Sequence, residues 1–430
     1  MKRIGIFCTD DGSHLRTHML IASELEQRGH AVTLFNVDSA EERVRREGLN
    51  FCAYGARKYS ANERYGRLMS GDVWVNTTLE RIDMICRSGP ELIREHSIDL
   101  LLVDQLEPGG SVVSDIAGIP FVSICNALPW NSHDLDVPPI IVGDLPQKSA
   151  WGHIRNRFTY FLLRLTFLRI VNRLNFHRRR AKLPPYRTID DSFSRWAQIS
   201  TLVKEFDFPR KTAGTVLHRV GPVRTASSGT PNFPFERLDG RPLVYASIGT
   251  MLGIRKDIYQ MIAEACSTLN CQLVIGLGGC CRPIDLGELP GNPIAVEYAP
   301  QVDLLARAHA TISHGGLNSV LEALSFGVPI LAIPFSGDQP GIAARIRWHG
   351  VGLSIPSRKI GVERLRTELI RILEVPEFSK NAQRMRSAFA AVSGLCTAGD
   401  IIEMVMTTGS PVVSNDRGTL RKTATSEVFV

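Results

Sequence analysis

The chain has 430 residues, 44% hydrophobic and 22% charged with a net charge of +7, a balance that excludes a disordered chain and fits two folded domains of about 200 residues each. Nine cysteines scattered along the chain argue against a disulfide-stapled secreted fold and for a reducing cytoplasm. The opening apolar stretch is too short for a signal peptide, and no run of about 18 consecutive apolar residues offers a membrane span.

In chain order, Ile4 to Thr9 reads as a buried strand and Met19 to Arg28 as a helix stopped by Gly29. Ala31 to Phe35, Asp99 to Val103 and Phe121 to Cys125 read as further strands, the last preceded by a helix from Gly110 to Ala117. Strands alternating with helices predict a parallel, doubly wound sheet. The first strand runs out at Thr9-Asp10-Asp11-Gly12-Ser13-His14, which places His14 on a loop at a strand's C-terminal end, opening a helix. An imidazole there can take a proton from a hydroxyl near neutral pH. Asp104, closing the apolar run Leu100–Val103, is the candidate partner that fixes its tautomer and stabilises its cation. His18, one helical turn on, is the competitor. A solvated His14 and an Asp104 that merely caps the next segment are the plain alternatives. Asp10 and Asp11 read as turn formers.

Asp134-Leu135-Asp136 imitates a metal-binding Asp-x-Asp, but it lies in a Pro-rich loop of the first domain. Adjacent Cys280-Cys281 lack a second pair at zinc spacing. No metal site is expected. From Trp151 to Lys182 there are eight arginines, one lysine and no acidic residue, interleaved with Phe158, Phe161, Leu162, Leu165, Phe167 and Leu168. Such a basic amphipathic stretch suits an anionic membrane surface or an apolar acceptor. An internal helix pair with solvated arginines fits the composition equally well. Nucleic acid is not expected as a partner, since no recognised nucleic-acid module accompanies the arginines.

Arg224 to Pro242, rich in Pro, Gly and Ser, reads as an interdomain linker. A second α/β unit starts at Leu243-Val244-Tyr245-Ala246-Ser247, with strands at Gln272 to Ile275, Ile294 to Val296, Ala310 to Ile312 and Ile330 to Ile333. Gly276 to Gly279 lacks G-x-G-x-x-G spacing and reads as a loop, which disfavours an NAD-dependent oxidoreductase. Asp400 to Met406 looks like a terminal helix, and the tail beyond Thr408 shows little periodicity. The expected organisation is a first domain at 1–223, a linker at 224–242, a second domain at 243–399, a helix at 400–408 and a loose tail at 409–430.

The block from Tyr298 to Arg345 carries the densest chemistry. His314-Gly315-Gly316 breaks the chain after a short strand, and Leu317 to Phe326 reads as a helix whose first turn holds Asn318 and Ser319. A strand, a Gly-rich turn and a helix N-terminus form an anion site, because unpaired N–H groups and the helix dipole both favour phosphate oxygens. Glu322 lies one turn deeper, placed to accept hydrogen bonds from ribose hydroxyls. Asp338-Gln339 follow the next strand, at the sheet edge where open α/β sheets bind ligands.

This block resembles the donor-binding signature of the UDP-sugar-dependent glycosyltransferases, the family of plant natural-product glucosyltransferases and bacterial macrolide glycosyltransferases. The matching residues are Pro300-Gln301, His314, Gly316, Asn318-Ser319, Glu322, Gly327-Val328-Pro329, Pro334 and Asp338-Gln339. The resemblance implies a GT-B type fold of two facing Rossmann-like domains, with a terminal helix crossing back to the first. It puts Gln301 and Tyr298 at the uracil, although plant members usually carry Trp at the latter place. His314, Ser319 and Thr250 would meet the diphosphate, Glu322 the ribose, and Asp338 and Gln339 the sugar. A His–Asp pair at the places of His14 and Asp104 would serve as base. Val103–Gly110, Ala197–Lys211, Gly337–Gly352 and the C-terminal MTTGSPVVS also resemble bacterial carotenoid glucosyltransferases, a branch of that family. That likeness implies UDP-glucose as donor substrate, no further cofactor, and a carotenoid such as zeaxanthin as acceptor. Flavonoid or polyketide acceptors, and a non-catalytic sugar-nucleotide-binding protein, are the alternatives.

Overall fold

The computed structural model describes residues 1–57, 63, 65, 66, 69–130, 134–210, 215–223, 233–249, 255–414 and 420–422. Thr250, expected at the diphosphate, lies outside the described residues.

The first domain is built on seven parallel strands: β1 (Arg3–Phe7), β2 (Ala31–Val37), β3 (Asn50–Gly55), β4 (Leu100–Asp104), β5 (Phe121–Cys125), β6 (Gln198–Ser200) and β7 (Leu217–Arg219). Their order is β3-β2-β1-β4-β5-β6-β7. Ile4 pairs with Val32 on one side and with Leu100 on the other, so the winding direction reverses between β1 and β4. Side-chain alternation along β1 sends Ile4 and Ile6 into one apolar cluster and Phe7 into another, which fixes helices on both faces of the sheet. The helices are α1 (Gly12–Gln27), α2 (Glu41–Arg46), α3 (Gly71–Glu95), α4 (Gly109–Ala117) and α5 (Ala150–Arg180). α1 begins at Gly12, a full two turns before the predicted Met19, so His14 sits in its first turn. The stretch between Trp151 and Lys182 is one continuous helix of 31 residues rather than a helix pair. It carries no Pro and no interior breaker, and Ser149 caps its start by accepting from the Gly152 N–H.

The second domain holds six parallel strands, β8 (Leu243–Ser247), β9 (Gln272–Gly276), β10 (Ile294–Val296), β11 (Ala308–Ser313), β12 (Ile330–Ala332) and β13 (Gly352–Ser354). Their order, β10-β9-β8-β11-β12-β13, puts the reversal between β8 and β11. Its helices are α6 (Lys256–Ser267), α7 (Gln301–Leu305), α8 (Leu317–Ser325), α9 (Gln339–Trp348), α10 (Val362–Glu374) and α11 (Pro376–Ala390).

Three segments differ from the sequence expectation. Of the predicted linker, the described part packs on the second domain: Phe233 is buried in its core beside Leu243 and Val274, and Phe235 lies against it. The terminal helix α12 is longer than expected, Gly394–Thr408, and lies on α1 of the first domain. Arg28 there bonds Asp400 and Glu403, and His30 bonds Glu403. The tail does not start loose. Val412 is buried, its N–H donates to the Trp196 carbonyl, and its own carbonyl meets His218 Nε2. Pro376–Thr408 is long and apolar enough to cross a membrane by length and composition. It is broken between α11 and α12, and buries Phe389 in one domain core and Ile401 and Val405 in the other.

Candidate active site

Both topological reversals open toward one cleft of about 1180 Å³, lined from both domains. Crevices of this kind form where neighbouring strands send their connections to opposite faces of the sheet. In the first domain His14, from the start of α1, lines the cleft, and Asp104, from the end of β4, lies buried behind it. Their Nδ1 and Oδ2 atoms lie 2.7 Å apart. The other carboxylate oxygen, Oδ1, accepts the Leu106 N–H at 2.8 Å, so Asp104 is held from both sides. The Asp104 side chain is fully buried while the His14 side chain keeps 12% exposure, on the cleft side. Burial works against a charged His14 ring, but the charge and hydrogen bond of Asp104 outweigh it and raise the imidazole above its ordinary range. Burial alone would push the Asp104 carboxyl up. His14 first, then His18 and the Leu106 N–H, hold it below the usual carboxylate range.

His18 is the wrong shape for the same work. Its ring is fully buried, its Nδ1 donates to the His14 carbonyl at 2.8 Å, and burial lowers its pKa. It supports the first turn of α1 from behind and does not line the cleft.

In the second domain His314 follows the last residue of β11 and its ring lies between two glycines. A Cβ on Gly249 would sit 2.7 Å from Cε1, and one on Gly316 only 2.4 Å from Nε2. Burial pushes the His314 imidazole down to about 4, the Ser247 backbone only partly opposing. The ring is therefore neutral at pH 7, a hydrogen-bond donor rather than a cation. Gly316 caps α8, whose first turn brings Asn318 and Ser319 to the cleft.

Glu322 lies one turn into α8. One of its oxygens accepts from Gln301 Nε2, and the other lies 4.0 Å from Arg16 of the first domain. Gln301 also accepts the Tyr245 hydroxyl at 3.1 Å. The two residues expected at base and ribose are thus bonded to each other. The Tyr298 ring is 59% exposed and lies over Gly279, where a Cβ would meet its hydroxyl at 2.1 Å. Asp338 reaches across the domain boundary, accepting the Leu128 N–H at 2.9 Å, and burial raises its pKa. Gln339 is buried, and its Oε1 accepts the N–H groups of Phe335 and Ser336, which leaves its amide nitrogen for the cleft. Every described member of the predicted set except Asp104, which is buried behind His14, lines this one cleft.

Sequence reasoning missed the cleft's far end. Trp130 stacks on Phe167 at 4.5 Å between ring centroids, and Trp74 packs edge-on against both. Three aromatic rings from three separate segments make an apolar wall, and no local spacing announces them. Buried Arg81 pairs with Glu107 beneath it. Asp136, of the Asp-x-Asp sequence, pairs instead with His153 at 2.6 Å.

Two parallel-sheet domains facing across a shared cleft is the GT-B arrangement of glycosyltransferases. Solved structures share it: the calicheamicin glycosyltransferase CalG4 with TM-score 0.73 and 20% identity over 96% of this chain and 100% of that one. The glycosyltransferase VinC in complex with dTDP follows with TM-score 0.68 and 18% identity over 94% and 100%. Residues 90–408 match the UDP-glucoronosyl and UDP-glucosyl transferase family, and the chain belongs to it. It is similar to the zeaxanthin glucosyltransferase of Pantoea ananas, 32% identical over 94% of this chain and 95% of that protein. That of Pseudescherichia vulneris is 31% identical over 94% and 97%.

Proposed function

We propose that this glycosyltransferase moves glucose from UDP-glucose to a hydroxyl of a long apolar acceptor, a carotenoid such as zeaxanthin, with inversion at the anomeric carbon. The observation that carries the reading is the apposition, in one cleft, of the His14–Asp104 pair and the His314–Gly316–Ser319 cradle at the start of α8. The acceptor oxygen attacks the anomeric carbon, the bond to the diphosphate breaks, and His14 takes the hydroxyl proton through Nε2. Asp104 holds the ring and offsets the charge it gains. Negative charge grows on the departing diphosphate, where neutral His314, Ser319 and the α8 N–H groups are preorganised to receive it. Asp338 and Gln339 take the sugar hydroxyls, Gln301 and Tyr298 the uracil, and Glu322 the ribose. With donors in place for the leaving group, the scheme requires no divalent ion and no further cofactor.

The acceptor reading is supported by the Trp74–Trp130–Phe167 wall beyond His14 and by the similarity to zeaxanthin glucosyltransferases. A cytoplasmic setting is supported by nine cysteines, all free thiols. Purified protein supplied with UDP-glucose and either zeaxanthin or a flavonoid panel tests it by mass detection of product. Carotenoid glucosides with an inverted anomeric centre are expected, and turnover of flavonoids alone would refute the acceptor.

A further inference from the structure

We propose that the outward face of α5 is a bilayer-docking surface, by which the enzyme seats on anionic lipid and draws its acceptor into the cleft from the membrane. The identity of what is drawn in rests on the carotenoid reading; the docking itself does not. Helix α5 has two apolar sides. Tyr160, Ile170, Val171 and Leu174 are buried against the first domain. On the opposite side Trp151 is 75% exposed, Phe158 60% and Phe161 54%, with Ile154, Leu162, Leu165 and Leu168 exposed beside them. At about 100° and 1.5 Å per residue these seven fall in one stripe roughly 120° wide and about 26 Å long. A contiguous apolar patch of this extent, built on a helix with no acidic residue, needs an occupant.

Charge selects which. Exposed Arg157 and Arg164 run along one edge of the stripe, and exposed Arg179 and Arg180 lie at the C-terminal end of the helix, about 16 Å beyond Leu168. Arg155 and Arg173 on the other edge are held by Asp144 and Asp83. An apolar stripe rimmed by arginines is the pattern of a helix lying in the plane of an anionic interface, its long cationic side chains reaching back to headgroups. A second copy of the chain fits less well. A two-fold contact would press the same cationic rims together.

Continuity with the cleft gives the face its purpose. Leu165, Met69 and Ile141 are exposed and also line the cleft, while Leu163 and Phe167 of the same helix face into it. An apolar path therefore runs from the stripe over the rim to the Trp130–Phe167 stack, and a water-insoluble acceptor need not cross solvent.

Flotation of the full-length protein with vesicles, at low salt, tests the docking. Vesicles of phosphatidylcholine containing phosphatidylglycerol are expected to carry at least roughly tenfold more protein than phosphatidylcholine alone. The double variant Phe158→Glu/Phe161→Glu is expected to lose about tenfold or more of that binding. Neither residue lines the cleft, so turnover of a water-soluble aglycone stays unchanged and shows that the variant folds. In the unsubstituted protein, brominated lipid should quench tryptophan fluorescence, and Trp151→Phe should remove most of that quenching. Protein left unbound by anionic vesicles, a double variant that floats normally, or a lipid-free dimer abolished by the same substitutions would each overturn the proposal. Flotation needs no turnover, so failure to glucosylate carotenoid in detergent would refute the acceptor and leave the docking result standing.

Discussion

His14 and His314 each border the reversal of their own sheet, His14 after the first strand of its domain and His314 after the fourth strand of the other, and their surroundings drive them apart. Beside His14 the sheet supplies a buried carboxylate at 2.7 Å, and the imidazole is raised above its usual range. Beside His314 there is backbone and two glycines, and burial lowers it to about 4. One ring can accept a proton and hold the charge; the other stays neutral and has one N–H to offer an anion. Two different positions beside the reversals thus suit the proposed base in one domain and the proposed anion donor in the other, and a buried carboxylate stands beside only the first.

Removing His14 breaks the comparison most severely. His14→Ala should lower kcat by about 10²–10⁴-fold, the usual worth of a positioned general base, while UDP-glucose affinity measured by calorimetry stays unchanged. An equal loss of donor affinity would place His14 in donor binding instead. Asp104 acts through His14, so Asp104→Asn should cost less, roughly 10²-fold in kcat, and also move the pH profile. The base works only when neutral, so the rate falls as pH drops through the His14 pKa. Asp104 raises that pKa, and its removal should shift the acid limb to lower pH. A merely structural Asp104 would leave the limb where it was. Donor affinity provides the contrast: with His314 titrating at about 4, UDP-glucose binding should stay flat between about pH 8 and pH 5 while kcat declines.

Much of this contrast was legible from the chain. The end of an apolar strand places His14 and Asp104, and the His-Gly-Gly turn before a helix places the proposed anion cradle, because both depend on local order of residue types. What stayed hidden depends on contacts between distant segments. The Leu128 N–H that fixes Asp338 is a backbone group with no side-chain signature, and Arg16 meets Glu322 only because the domains face each other. The mutual bond of Gln301 and Glu322 likewise needs the turn of α8 against α7. Helix α5 misled for a different reason: with apolar residues on both its buried and its exposed sides, its pattern does not distinguish one long helix from two.

A smaller effect tests why His314 stands where it does. Gly249 has φ +78°, and a Cβ there would lie 2.7 Å from the ring. Gly249→Ala should cost backbone strain and push the imidazole off the diphosphate, weakening UDP-glucose binding roughly tenfold, about 1.4 kcal/mol. The His14 pH limb should not move. If it did, the two histidines would be coupled rather than independent in their roles.

Tyr298 carries the smallest and most specific expectation. Its ring is 59% exposed at the cleft and rests on Gly279, where no side chain competes for the space. If the uracil stacks here, the phenol offers it less surface than an indole would. Tyr298→Trp should therefore tighten UDP by about 0.5 kcal/mol, roughly twofold, with kcat unchanged. The gain should be the same for UDP and UDP-glucose, because stacking reads only the base. A gain confined to UDP-glucose would mean that the ring faces the sugar, and no gain would leave recognition of the base to Gln301 alone.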